Sequence, residues 1–118
     1  ELALPAVSQV IQDGLVFDTV VALNDRAAIG ALAAIKENQL AQPISIYGID
    51  GSPDMKVLLS TTDDIEGTVA QSPLKMGRQV MQVIECMRTG KTYKEQYKIP
   101  VEMIDKDNVD RYDVNGWQ

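Results

Sequence analysis

The sequence predicts an α/β fold in which a parallel sheet is covered by helices on both faces. One observation predicts this fold, and two more indicate a single globular domain. Short β-branched apolar segments alternate along the chain with segments of helical period, as in parallel strands joined by crossover helices. Of the 118 residues, 45% are hydrophobic and 24% are charged, which is an ordinary balance for one domain with one core. No apolar run approaches the length that crosses a membrane.

The predicted strands lie at four apolar segments. Residues 17–23 (FDTVVAL) form a continuous β-branched run, typical of a strand that is buried on both faces. Residues 43–49 (PISIYGI), 67–70 (GTVA) and 99–104 (IPVEMI) supply the other three strands. The chain beyond them is polar, so we expect residues 105–118 to be largely irregular.

The predicted helices lie between the strands and are bounded by proline and glycine. They span residues 5–13, 26–38, 53–60 and 73–89. Proline stands at the first helical position of three of them, and a glycine directly follows two. The last helix has the clearest apolar face, formed by Met76, Val80, Val83, Ile84 and Met87.

The composition excludes several classes of protein. The net charge of −6 argues against a nucleic-acid partner, which needs clustered Lys and Arg. The chain has no His, so it lacks the commonest general base and the commonest zinc ligand. The single Cys86 cannot form an internal disulfide, and no glycine-rich nucleotide-binding motif is present. We therefore predict no catalytic residue, no metal site and no cofactor.

Polar residues stand at three successive strand-to-helix junctions. The predicted N-caps of the helices are Asp25, Ser52 and Ser72. Each junction has a further polar residue that the cap does not need: Asn24, Asp50 and Gln71. Asp50 lies between Gly48 and Gly51, and glycines near a strand's end allow other groups to approach closely.

These three residues are predicted to meet at one edge of the sheet, because the carboxyl ends of parallel strands share an edge where ligands bind. Two amides and a carboxylate suit a neutral, polyhydroxylated ligand such as a sugar. A phosphate site would need more basic residues than Arg26. Purely local roles stay open: Asn24 as the cap, Asp50 in an Asx-turn, and Gln71 as a solvated residue.

Three segments carry a resemblance to a known family. VVALNDRAAIGALAAIKE, YGIDGSPD and GTVAQSPLKMG, in this order and spacing, resemble motifs of the periplasmic sugar-binding proteins of ribose-binding type. Those are type I substrate-binding proteins of ABC transporters. The resemblance extends from about Leu15 to Val109.

The resemblance implies a sugar site and a two-lobed fold that closes by hinge motion. The family's sugar-contacting Asn, Asp and Gln fall on Asn24, Asp50 and Gln71. Residues 1–118 would be a fragment of the C-terminal lobe, and residues 73–90 a crossover helix that belongs to the other lobe. The exposed face of that helix would favour self-association or domain swapping. The aromatic ring that usually stacks on the sugar is expected outside this chain.

The function implied by the resemblance is binding without catalysis. We expect a solute-binding component that delivers a monosaccharide to a membrane permease, in the periplasm or anchored outside the membrane. The alternative is the effector domain of a lactose-repressor-type regulator or a membrane sensor, although Gly51 stands where repressors often carry an acidic residue. A phosphorylated receiver domain is disfavoured, because the required acidic pair and lysine are missing from the strand ends. The sequence does not specify which sugar binds.

Overall fold

The structure is a computed structural model that describes residues 2–118, and its centre is a four-stranded sheet in the order β1-β2-β3-β4. The strands are β1 (Thr19–Val21), β2 (Ser45–Asp50), β3 (Ile65–Ala70) and β4 (Glu102–Asp105). β1, β2 and β3 are parallel, whereas β4 pairs with β3 in the antiparallel direction. The predicted α/β class is therefore confirmed, with the last strand reversed.

The four helices are α1 (Ala3–Gln12), α2 (Asp25–Glu37), α3 (Pro53–Thr61) and α4 (Pro73–Thr89). Of these, α2 and α3 pack on this sheet through small and apolar side chains, and α1 packs mainly on α2. Ala28 and Ala31 are fully buried, and such small side chains let α2 approach the sheet closely. Ile46, Met55 and Ile65 are completely buried at the centre of the core. Within residues 2–118, no helix is both long and apolar enough to span a bilayer.

α4 contributes no residue to the core. None of its residues is buried, and Val80, Ile84 and Met87 are each at least half exposed. The Cα radius of gyration is 18.1 Å, whereas a compact chain of this length would have about 13.5 Å. The apolar face predicted for this helix therefore lies on the surface.

The prediction that residues 17–23 are buried on both faces is wrong. β1 covers only three of those residues and lies at the edge of the sheet. Val21 is 74% exposed and Leu23 is 87% exposed. An edge strand has a neighbour on one side only, and nothing else in residues 2–118 covers these two side chains.

The last segment is more ordered than its polarity suggested. Residues Val109–Arg111 form a 3-10 helix, and Val109 is buried in the core. Tyr112 packs against the same core, and the chain then runs back towards α3. This return path brings the end of the described chain to the edge of the sheet where the predicted site lies.

Candidate ligand-binding site

Asp50 and Gln71 lie side by side at the carboxyl ends of β2 and β3. Asp50 is the last residue of β2 and pairs with Ala70, the last residue of β3. The Gln71 side-chain Nε2 donates a hydrogen bond to Asp50 Oδ1 at 3.3 Å, and the Gln71 backbone N–H donates to the Asp50 carbonyl at 3.1 Å. Asp50 and Gln71, two of the three residues that the sequence places at this edge, are thus in direct contact.

Asn24, the third residue, is the N-cap of α2. Its Oδ1 accepts a hydrogen bond from the Ala27 backbone N–H at 2.8 Å, and its own backbone is extended. The prediction that Asp25 is the cap is therefore wrong: Asn24 is the cap, and it uses its side-chain oxygen for this role. The caps predicted at Ser52 and Ser72 are confirmed, since both hydroxyls accept from a backbone N–H three residues later.

Asp25 instead forms a buried network beneath the edge. It is 1% exposed, and its Oδ2 accepts from the Ser52 N–H at 2.7 Å. Its Oδ1 accepts from the Thr68 hydroxyl at 2.6 Å, and that hydroxyl accepts in turn from the Gly51 N–H at 3.1 Å. One carboxylate therefore fixes two successive amides of the turn that follows Asp50.

Gly48 and Gly51 make the close approaches possible. A Cβ on Gly48 would overlap Oδ1 of Asp25, and a Cβ on Gly51 would lie 2.6 Å from the Ala70 Cβ. Gly51 also has a φ of 71°, which glycine adopts without steric cost. The two glycines therefore serve the packing around Asp50.

Asp50 itself has a strained backbone. Its φ is 134°, in a region that side-chain-bearing residues rarely occupy. Such strain persists only where the surroundings hold the residue in place, and it is concentrated at functional sites. Here the hydrogen bonds to Gly51 and Ser52 supply the restraint.

The last residues of the chain complete this edge. Gln118 Nε2 donates to the carbonyl of Asp50 at 3.3 Å and to the carbonyl of Gln71 at 2.8 Å. The Ser72 hydroxyl donates to the Gln118 carbonyl. Sequence reasoning missed these contacts, which join residues 46 to 68 positions apart and leave no local pattern.

A cavity of about 280 Å³ opens at this point. Trp117 forms part of its wall, so this chain places one aromatic ring beside Asn24 and Asp50. Gln71 does not line the cavity but contacts Asp50, which does. In residues 2–118, no group of three His, Cys, Asp or Glu side chains could hold a metal ion. The lining residues are Asn24, Asp25, Arg26, Asp50, Ser52, Pro53, Asp54 and Trp117.

Comparison with known families gives a clear match. Residues 1–92 match the family model described as the periplasmic binding protein domain. The chain belongs to this family. The resemblance seen in the three sequence motifs is therefore confirmed.

Two curated relatives are similar over most of the chain. The D-galactose/methyl-galactoside binding periplasmic protein of Haemophilus influenzae is 30% identical over 101 residues, which are 78% of this chain and 30% of that protein. The D-apiose import binding protein of Paraburkholderia graminis is 36% identical over 97 residues, which are 80% of this chain and 30% of that protein. The chain thus spans about 30% of the length of these relatives.

A solved structure shows the same fold. It is an ABC transporter periplasmic solute-binding protein from Actinobacillus succinogenes with bound D-allose. It superposes with a TM-score of 0.86 over 93% of this chain and 39% of its own chain, at 22% sequence identity. The described residues therefore have the fold of part of a type I periplasmic binding protein.

Proposed function

We propose that this chain forms one wall of a cleft that binds a monosaccharide or a similar polyhydroxylated ligand, without catalysis. The observation that carries the proposal is the cavity at the carboxyl ends of the parallel strands, where the strained Asp50 lies beside Asn24 and Trp117. The fold maintains the strained backbone of Asp50 at a cost, and strained residues cluster at ligand-binding and active sites.

The hydrogen-bonding groups match a sugar. One carboxylate oxygen of Asp50 accepts from Gln71, and the remaining lone pairs can accept from two ligand hydroxyls. The Asn24 amide uses its oxygen as a helix cap, and its Nδ2 is left to donate to a ligand oxygen. Arg26 adds donors at the rim, and Trp117 offers an apolar surface for the C–H groups of a sugar ring.

The similar proteins support the same ligand class. Two curated relatives carry the names of D-galactose and D-apiose, and the solved structure contains D-allose. We propose for this chain a role in an ABC-type uptake system, with ligand bridging two lobes and a membrane permease as partner. The location would then be periplasmic or anchored at the outer face of the membrane.

The exposed helix α4 supports the proposal that residues 73–90 pack on a second lobe. Its apolar side chains form a groove of about 340 Å³ with Tyr97 and Ile99. Apolar surface of this kind usually marks a protein contact. The residue at position 51 favours this role over the repressor-type alternative, because repressors often carry an acidic residue where Gly51 stands.

The test is a panel of monosaccharides and polyols in a thermal-shift assay on the complete protein that carries this chain. A ligand at a hundred times its Kd should stabilise the protein by about 2.7 kcal/mol. Asp50→Ala should weaken binding by roughly 2–4 kcal/mol, because ligand hydroxyls lose their acceptor in a closed cleft. Asp110→Ala, an exposed carboxylate outside the cavity lining, is the control. Absence of a shift with every compound would refute the proposal.

A further inference from the structure

Lys56 is buried in an unusual way. It lies on α3 and is 1% exposed, although a lysine is seldom fully buried unless its ammonium has partners. Nζ donates to the carbonyls of Asp113 and Gly116, both at 2.7 Å, and to Oε1 of Gln118 at 3.3 Å. All three ammonium donors are therefore used, and all three acceptors belong to one short segment of chain.

That segment, residues 113–118, has little else to hold it. None of its residues is buried, and it belongs to no strand or helix. Hydrophobic burial therefore does not fix its position, and the fixed points are polar. They are the Lys56 ammonium and the hydrogen bonds of Gln118 to Asp50, Gln71 and Ser72.

The position of the segment matters because Trp117 is part of it. Trp117 lines the same cavity as Asn24 and Asp50, and 46% of its surface remains exposed. The exposed part of the ring is free to contact a ligand in the cavity. Lys56 does not line this cavity, so it acts at a distance from the ligand.

Burial of the Lys56 ammonium is costly. Desolvation lowers the pKa of Lys56 below its ordinary value, and the nearby negative charge of Asp113 opposes this only in part. An apolar side chain of similar length would fill the same space on α3 without that cost. What an apolar side chain could not do is bind two backbone carbonyls and a side-chain amide of the last segment.

We propose that Lys56 is a positioning residue that latches residues 113–118 over the sheet edge, and that Trp117 is thereby held as the apolar wall of the ligand cavity. Trp117 contacts the C–H face of the sugar ring, while Asp50 and Asn24 bind its hydroxyls. The proposal deepens the proposed function and rests on it for the ligand contact. The latch itself does not depend on any ligand.

The latch is tested first, without ligand, in the complete protein. Trp117 is the single Trp of this chain, and subtraction of the Trp117→Phe signal removes emission from tryptophans elsewhere. Lys56→Met keeps the side-chain volume and removes the three hydrogen bonds. We expect red-shifted emission and about a twofold increase in acrylamide quenching of Trp117, because the ring is released to solvent.

Lys106→Met is the matched control. Lys106 also donates to a backbone carbonyl, that of Asp63 at 2.8 Å, but it lies near the other end of β3. Its substitution should leave Trp117 emission unchanged. If Lys56→Met destabilises the core, Gln118→Ala tests the latch instead, because it removes the side-chain hydrogen bonds of residues 113–118 to Lys56 and to the sheet edge. Unchanged quenching in either variant, with the fold intact, would overturn the latch.

The ligand contact is tested by calorimetric titration with the best sugar of the panel. Trp117→Ala should weaken binding about tenfold, and Trp117→Phe less than about threefold, since it keeps a ring. Lys56→Met should weaken binding about as much as Trp117→Ala, and the double variant no more than either. This non-additivity would show that Lys56 acts through Trp117, which a merely structural role would not produce.

The outcomes separate the two proposals. If Trp117→Ala leaves sugar binding unchanged, the proposed contact between Trp117 and the sugar is refuted, while the proposed function stands. Fully additive losses would overturn the positioning role of Lys56. Absence of sugar binding in the unsubstituted protein would overturn both the proposed function and the ligand contact, and the quenching result would still decide the latch.

Discussion

Substitution of Asp25 by alanine tests the network that holds the turn after Asp50. The change removes two hydrogen bonds to a buried carboxylate, from the Ser52 N–H and the Thr68 hydroxyl. A hydrogen bond to a charged group contributes about 1.5–3 kcal/mol, and donors left unpaired in a buried site add their desolvation penalty. We expect the free energy of unfolding to fall by about 3–5 kcal/mol.

The assay is urea unfolding followed by circular dichroism. With a denaturant slope of about 1–3 kcal/mol/M for a small protein, the midpoint should fall by roughly 2 M. Asp25→Asn should cost less, since the amide keeps one acceptor and can donate to Thr68. Asp18→Ala is a matched control, because Asp18 also accepts from a threonine hydroxyl, that of Thr19 at 2.9 Å, but in an exposed position.

The reasoning would be refuted by two results. One is a loss below about 1 kcal/mol in Asp25→Ala, which is the size expected for an exposed hydrogen bond. The other is an equal loss in Asp18→Ala, which should stay within about 0.5 kcal/mol as a surface substitution. Either result would mean that burial does not raise the value of the Asp25 hydrogen bonds.

Four further predictions concern the backbone around Asp50 and the pair formed by Glu102 and Tyr112. Asp50→Gly should be more stable than Asp50→Ala by about 1–2 kcal/mol in urea unfolding, because glycine accepts a positive φ, although both variants should bind sugar more weakly than the unsubstituted protein. Gly48→Ala should destabilise the chain by roughly 2 kcal/mol or more in the same assay, because its Cβ would displace Asp25. Hydrogen bonds from Lys75 and Tyr112 lower the pKa of Glu102, so its contribution to stability is present above pH 4.5 and is lost as pH falls through the folded pKa. Burial, and then the hydrogen bond to and charge of Glu102, raise the pKa of Tyr112. The contribution of the neutral Tyr112 to folding stability is therefore lost as pH rises above 10.0. Tyr112→Phe should remove this alkaline loss when the free energy of unfolding is measured as a function of pH.

The sequence predicted the elements whose signals are local. Pro73 and Gly90 bound α4 as expected, and Ser52 and Ser72 cap their helices. The apolar runs located all four strands, although their ends differ by a few residues. Local signals failed at Asp25, since Asn and Asp are equally good caps and only the tertiary structure decides which of two neighbours points into the core.

The wall of the cavity could not be predicted from local patterns. From the sequence alone, Lys56 would be an ordinary exposed lysine on a short helix, and Trp117 would belong to a polar tail. Their roles arise from contacts 57 to 62 residues apart, which depend on how the chain returns after β4. Hydrophobic periodicity cannot predict such pairs, because it compares residues within a single helix or strand.

Asp25 and Asp50 lie at the same edge of the sheet, but the first serves stability and the second the proposed ligand site. Asp25 is buried, satisfies its hydrogen bonds inside the protein and stabilises the turn. Asp50 is strained, lines the cavity and keeps hydrogen-bonding capacity for a ligand. The strained backbone of Asp50 persists because the network around Asp25 offsets its cost. Thr68 and Asp25 hold the amides of Gly51 and Ser52, so the turn cannot shift to relax Asp50. A substitution at Asp25 should therefore weaken ligand binding as well as stability, whereas Asp50→Gly should separate the two.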